Sequence, residues 1–148
     1  MPEDTEILVK VKRLVPDGKV PLQAKDGDAA FDVYSVVEHE LLPGDSYAIP
    51  TGIAIEIPVG YEGQVRPRSG LALKHGITIT NSPGTIDSGY RGEVKIIVHN
   101  LGKEAFTITN GMRIAQIAIR PVPSVRFIEV EDLEDSERGA RGFGSTGV

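Results

Sequence analysis

The 148-residue sequence contains no cysteine and no tryptophan, and its aromatics are limited to four Tyr and four Phe. Without cysteine there are no disulfides, thiolate metal ligands or thiol nucleophiles, and nothing ties the chain to an oxidising compartment. No apolar run approaches the ~20 residues that span a bilayer. The opening MPEDTEILVKVKRL also lacks the basic and then apolar order of a signal peptide. Basic residues are in deficit, 16 Lys and Arg against 21 Asp and Glu for a net charge of −5, which speaks against the basic stripe that broad nucleic-acid binding requires. The expectation is a soluble cytoplasmic protein of one domain, without membrane or nucleic-acid partners. Its length allows roughly two-thirds of the unfolded surface to be buried.

What the chain has in quantity is β-branched residues. Ile and Val number 15 each against nine Leu, and with eight Thr they make up a quarter of the chain, a composition suited to pleated, half-buried surfaces. Seventeen Gly and ten Pro, spread along the whole length, leave little room for long helices. Alternating runs at 7–11, 53–57 and 94–98, and shorter ones at 77–80, 105–109, 113–119 and 125–130, read as strands. In 125–130 a change of phase between Phe127 and Ile128 suggests a bulge or bend. Turn signals stand between the runs at Pro16-Asp17-Gly18, Pro43-Gly44-Asp45, Pro83-Gly84 and Asn110-Gly111. The only helical stretch is Ser69 to His75, with Ser69 as N-cap and Gly76 as the stop. Many short strands in a compact domain read as an all-β fold, a sandwich, barrel or jelly roll, with at most one short helix.

Three polar segments interrupt the strand pattern. RPRSGLALKHG (66–76) places Arg66, Arg68 and Ser69 before a helical turn, where guanidinium groups bind phosphate in a bidentate way; the same arginines could equally form surface ion pairs. TNSPGTIDSGYRGE (80–93) sets Asp87 among turn residues with Asn81 and Tyr90 nearby. Such an Asp commonly closes an Asx-turn, but it can also deprotonate a water within hydrogen-bond reach. The ending RGARGFGSTGV follows an acidic stretch and carries Phe143, two arginines and four glycines, which a purely solvated tail does not need. It is neither a Walker loop nor a dinucleotide fingerprint. Asp26, Asp28 and Asp32 lack the rest of a calcium loop, whereas a hydrated Mg²⁺ held mainly by substrate phosphates needs only one or two carboxylates. His39, His75 and His99 show no metal-ligand spacing.

Taken in order, five segments resemble the motifs of the homotrimeric deoxyuridine triphosphatase (dUTPase) family: AAFDVYS at 29–35, RPRSGLAL at 66–73, GTIDSGYRGEV at 84–94, GMRIAQIAI at 111–119 and RGARGFGSTG at 138–147. The resemblance implies an all-β, jelly-roll-like barrel of short strands over residues 1–130, a flexible C-terminal arm over 131–148, and a trimer whose three sites are each shared between subunits. It also implies Mg²⁺-dependent hydrolysis of dUTP to dUMP and pyrophosphate, which keeps uracil out of DNA and supplies dUMP for thymidylate synthesis. By position, Asp87 matches the water-activating carboxylate and Tyr90 the ring that packs under deoxyribose. Asn81 matches a uracil-reading residue, and Arg68, Ser69 and Gln116 match phosphate contacts. In the arm, Arg138, Ser145 and Thr146 would hold the terminal phosphate while Phe143 stacks over uracil; Gly70, Thr85 and Gly144 complete the substrate-contacting set. Asp32 matches the first motif's acid, near the metal hydrate or in a supporting ion pair. The 18 residues from Glu131 onward reach up to roughly 60 Å when extended, enough to cross onto a neighbouring subunit and close as a lid.

The sequence departs from the family pattern at Ala30, Val33, Gly89, His99 and Arg141, and none of these removes a proposed chemical group. Two rivals stand beside this reading. A dCTP deaminase of the same fold needs a catalytic glutamate where this chain has Ile97, which cannot shuttle a proton. A binding module without turnover would have no use for Asp87, Tyr90 and the full arm together.

Overall fold

Ten strands of three to eleven residues and one helical segment of two turns account for the regular structure in a computed structural model of the chain, which describes residues 6–144, 146 and 147. All strand pairs are antiparallel. One four-stranded sheet runs in the order β1 (Lys10–Arg13), β4 (Ser46–Glu56), β8 (Glu93–Asn100), β6 (Ile77–Ile79). The other runs β2 (Phe31–Tyr34), β10 (Arg113–Pro121), β5 (Tyr61–Arg66), β7 (Gly84–Ile86), and β3 (His39–Leu41) pairs with β9 (Phe106–Ile108) as a two-stranded ribbon. This is the all-β architecture that the composition predicts, in the jelly-roll-like form that the family resemblance implies.

The core between the sheets is built from isoleucine and valine. On β8 the alternation is clean: Val94, Ile96 and Val98 are buried while Lys95 and Ile97 are exposed. Ile53, Ile55 and Ile57 of the β4 region join them, with Val65, Ile86, Ile108, Ile114 and Ile117 from the other elements. Gly63 in β5 suits this packing, because a Cβ there would sit 3.0–3.3 Å from Ile117, Ile57 and Ile86, which would have to give by a few tenths of an ångström. Asn100, fully buried, satisfies its amide against the carbonyls of Leu41 and Glu104 and accepts from the Gly102 amide.

The helix α1 spans Ser69–His75 and stops at Gly76, which adopts the left-handed conformation (φ 67°, ψ 21°) and donates its amide to the last turn. Its N-cap is Arg68, extended after Pro67, so Ser69 is the first helical residue rather than the cap, and no side chain caps this end. The run at 125–130 departs from expectation more strongly. It joins no sheet, and Val125, Phe127, Ile128 and Val130 are all exposed. A strand needs a ladder partner, and the described residues offer this one none; the phase change there marks no bulge. Among the described residues no helix is long and apolar enough to cross a membrane.

Candidate active site

Two groups of polar side chains stand on the sheet that contains β10. The first lies across β2, β10 and β5, where Gln116 pairs with Asp32 on one side and Arg66 on the other. Directly opposed residues share a face with Cβ atoms about 4.5–5.5 Å apart, so register alone gathers this trio. Asp32 is buried, and its two oxygens face two guanidiniums: Arg68 Nε lies 3.4 Å from Oδ1 and Arg113 Nη1 lies 3.6 Å from Oδ2. Arg68 also donates to the Arg113 carbonyl oxygen at 3.5 Å, and Gln116 Nε2 donates to the Pro67 carbonyl oxygen at 3.0 Å. These contacts tie the 66–69 segment to β2 and β10. Two clefts flank them. One, of about 360 Å³, is lined by Asp28, Ala30, Asp32, Arg66 and Gln116; the other, of about 590 Å³, includes Tyr34, Arg68, Phe106 and Arg113.

At the start of α1, Ser69 and Gly70 are exposed. A Cβ at Gly70 would meet nothing within the chain, so intrachain packing does not require glycine there. Arg113 is a site residue that sequence reasoning missed. A register shift between Arg113 and Ala115 against β2 turns its side chain towards Asp32, and a one-residue irregularity of that kind leaves no sequence signal.

The second group is the connection from β7 to β8. Thr85 is exposed on β7 opposite Gln64, and Asn81 folds its amide over Gly84 in the turn that contains the cis Ser82–Pro83 peptide. Asp87 follows β7 directly. Its backbone carbonyl accepts from the Tyr90 amide at 3.1 Å and so closes the turn. Its carboxylate is exposed and has no hydrogen-bond or ion-pair partner among the described residues, so it closes no Asx-turn. Tyr90 is half exposed and is fixed by its hydroxyl, which donates to the Glu93 carbonyl oxygen at 2.8 Å.

The two groups are apart within one chain. Gly63 pairs with Ile86, which puts Asp87 level with Glu62, four residues down β5 from Arg66. At 3.3 Å per residue this is roughly 13 Å of backbone.

Among the described residues, the arm makes no hydrogen bond or ion pair with either group. Arg138 Nε donates to the Arg141 carbonyl oxygen at 2.7 Å and Arg141 Nε returns a bond to the Arg138 carbonyl oxygen at 2.9 Å, so this end curls on itself. Phe143 is fully exposed and holds a positive φ of 45°, a strained state for a non-glycine residue, next to Gly144 at 86°. Thr146 is exposed, and Ser145 lies outside the described residues.

The donor set bears on a metal as well. The described residues contain no group of three or more His, Asp or Glu able to hold an ion. His39 stacks on Tyr47, His75 packs against Phe106, and His99 Nδ1 lies 2.6 Å from Ser46 Oγ. With Asp32 engaged by two arginines, the described residues offer no cage of their own.

Residues 17–147 match the family model described as dUTPase. A deoxyuridine 5'-triphosphate nucleotidohydrolase of Clostridium kluyveri is 55% identical over 138 residues, covering 93% of this chain and 96% of the relative. One from Caldanaerobacter subterraneus subsp. tengcongensis is 53% identical over 146 residues, with 96% and 99% covered. Among solved structures, Staphylococcus bacteriophage 80alpha dUTPase with dUpNHpp superposes with a TM-score of 0.88 at 31% identity, covering 95% of this chain and 99% of that one. A mutant dUTPase from phage phi11 of S. aureus, described for its coordination of a structural Mg(II) ion, superposes with a TM-score of 0.80 at 26% identity over 86% of this chain and 99% of the other.

Proposed function

This chain belongs to the dUTPase family, and we propose that, in the hydrolysis of dUTP to dUMP and pyrophosphate that goes with membership, Asp87 is the general base. The observation that carries this assignment is the Asp87 carboxylate itself, exposed at the end of β7 without a protein partner while the turn beneath it is closed by backbone. Asp87 takes a proton from a water as that water's oxygen bonds to the α-phosphorus. The bond from the α-phosphorus to the bridging oxygen breaks, and pyrophosphate leaves with the electron pair. General-base catalysis of this kind is worth about 10²–10⁴ in rate.

The other residues bind and select. Tyr90 offers its ring to the deoxyribose, held by the bond to Glu93. Asn81 and Thr85 present polar groups to uracil beside backbone of the same hairpin, and an unmatched buried polar group on a wrong base costs about 1–3 kcal/mol. Arg68, Ser69, Gly70 and Gln116 take the phosphate chain. Gln116 spends one N–H on Pro67 and keeps the other for ligand. The Asp32 pair holds Arg68 in place for this task, which supports the ion-pair role for Asp32 over a metal-ligand role. Mg²⁺ would enter with the triphosphate as its counter-ion and, when bound, would cancel charge on the phosphates.

Residues 131–148 serve as the arm. Arg138, Ser145 and Thr146 meet the terminal phosphate, Phe143 stacks on uracil, and Gly144 gives the bend. The roughly 13 Å of backbone between Asp87 and the arginine group of the same chain supports sites completed by other copies, and hence the homotrimer. Its nucleotide substrate pool and the lack of cysteine favour a cytoplasmic setting. Ile97, exposed on β8 where a deaminase would need a carboxylate, supports hydrolysis over deamination.

The test is a crystal structure with dUpNHpp and Mg²⁺. The proposal expects Asp87 within hydrogen-bond reach of a water in line with the α-phosphorus, and groups from more than one subunit around the phosphates. Asp87 far from any such water, or a site complete within one subunit, contradicts it.

A further inference from the structure

Arg91 follows Tyr90 in the connection between β7 and β8, and its guanidinium turns back under the turn that carries Asp87. Nη1 donates to the Ser88 carbonyl oxygen at 2.6 Å and to the Tyr90 carbonyl oxygen at 3.1 Å, while Nε lies 3.5 Å from Glu56 Oε1. The other oxygen of that carboxylate, Oε2, lies 3.4 Å from Lys10 Nζ, and Lys10 pairs with Glu56 across the β1–β4 ladder. A continuous strut therefore runs from the β1–β4 sheet to two carbonyls of a turn whose preceding strand, β7, belongs to the opposite sheet.

The turn needs such a strut. Six residues, Asp87 to Gly92, cross between the sheets, and two of them are glycine. The turn's own restraints are the Tyr90 amide bond to Asp87 and the Tyr90 hydroxyl bond to Glu93. Neither engages the Ser88 or the Tyr90 carbonyl. Arg91 grips the carbonyls on either side of Gly89 at once, with the N–H groups of a rigid planar fork. As half-exposed ion pairs, its contacts with Glu56 add little to global stability. Their consequence is geometric, because a displacement of about 1 Å in a reacting group can cost about a hundredfold in rate.

We infer that Arg91 is a positioning residue for hydrolysis: it fixes the direction of the Asp87 carboxylate by clamping the Ser88 and Tyr90 carbonyls and anchoring them through Glu56 to the β1–β4 sheet. The inference rests on the assignment of Asp87 as base. Lysine cannot replace Arg91, since one ammonium does not span two carbonyls and a carboxylate in fixed geometry.

Steady-state kinetics on Arg91→Ala, Glu56→Gln, Asp87→Asn and the two double variants with Asp87→Asn test it, alongside dUpNHpp binding and circular dichroism. Arg91→Ala is expected to lower kcat about 10–100-fold with KM within about threefold, and Glu56→Gln to lower kcat several-fold without change in fold. In the Asp87→Asn background neither substitution should slow turnover further, because a group that acts through the base has nothing left to position. Full kcat in Arg91→Ala, a loss confined to KM, or an equal further loss in the Asp87→Asn background overturns the inference. Should Arg91→Ala fail to fold, the Glu56→Gln cycle decides by the same criteria. Near-parent turnover in Asp87→Asn alone strikes instead at the base assignment, so the two failures are told apart.

Discussion

Arg68 Nε lies 3.4 Å from Asp32 Oδ1, which joins the residue preceding α1 to the middle of β2 across 36 positions of sequence. Asp32 is buried and its other oxygen faces Arg113. One carboxylate thus orients two guanidiniums that would otherwise swing in solvent. The ion-pair alternative noted for 66–76 and the phosphate-binding alternative meet here, since a guanidinium held by Asp32 through Nε, with Nη1 on the Arg113 carbonyl, keeps Nη2 for a ligand.

Asp32→Asn is therefore expected to raise KM for dUTP by about tenfold while kcat changes less. It should also destabilise the fold by about 1–3 kcal/mol, discounted from a fully buried pair because both arginines are partly exposed. Urea denaturation and initial-rate kinetics on the same preparation check both parts.

Gly92 stands against the Tyr90 side chain: a Cβ there would lie 2.5 Å from Tyr90 Oη and 2.7 Å from Cζ. Gly92→Ala must push the ring off its position and break its bond to Glu93. The expected result is weaker discrimination between dUTP and UTP, read as a several-fold fall in the ratio of their kcat/KM values, since Tyr90 is the ring set against the sugar.

Phe143 makes no core contact, so Phe143→Ala should leave the thermal midpoint unchanged while lowering kcat/KM roughly 2–10-fold, the value of one lost aromatic stacking. Truncation before Arg138 should likewise leave a folded protein with poor catalysis, checked by circular dichroism, size-exclusion chromatography and pyrophosphate release. Unfolding of the truncated chain would make the arm a structural element instead.

Much of this was legible because it is local. The alternation of Val94, Ile96 and Val98 against Lys95 and Ile97 marks β8, Gly76 marks the end of α1, and the turn residues around Asp87 mark the connection it occupies. β5 was not legible: its YEGQVR carries a glycine and three polar residues, and its place between β10 and β7 depends on partners distant in sequence. β2, β3 and β7, at three or four residues, lie among polar and turn residues that hide them, whereas β6 and β9, equally short, stand in the recognisable runs 77–80 and 105–109. The stretch 125–130 has the residues of a strand without a partner in the chain, which shows that periodicity reports readiness to pair and not the pairing. The site followed the same division. Asp87, Tyr90 and Gln116 stand in recognisable segments, whereas the pairing of Arg113 with Asp32 and the clamp by Arg91 arise only once register and tertiary contacts bring them together.

The most direct test of Asp87 as base is single-turnover hydrolysis of dUTP by Asp87→Asn beside the dissociation constant for dUpNHpp. Loss of the base predicts a rate reduced about 10²–10⁴-fold with the dissociation constant within about threefold of the parent. A rate within threefold of the parent would contradict it.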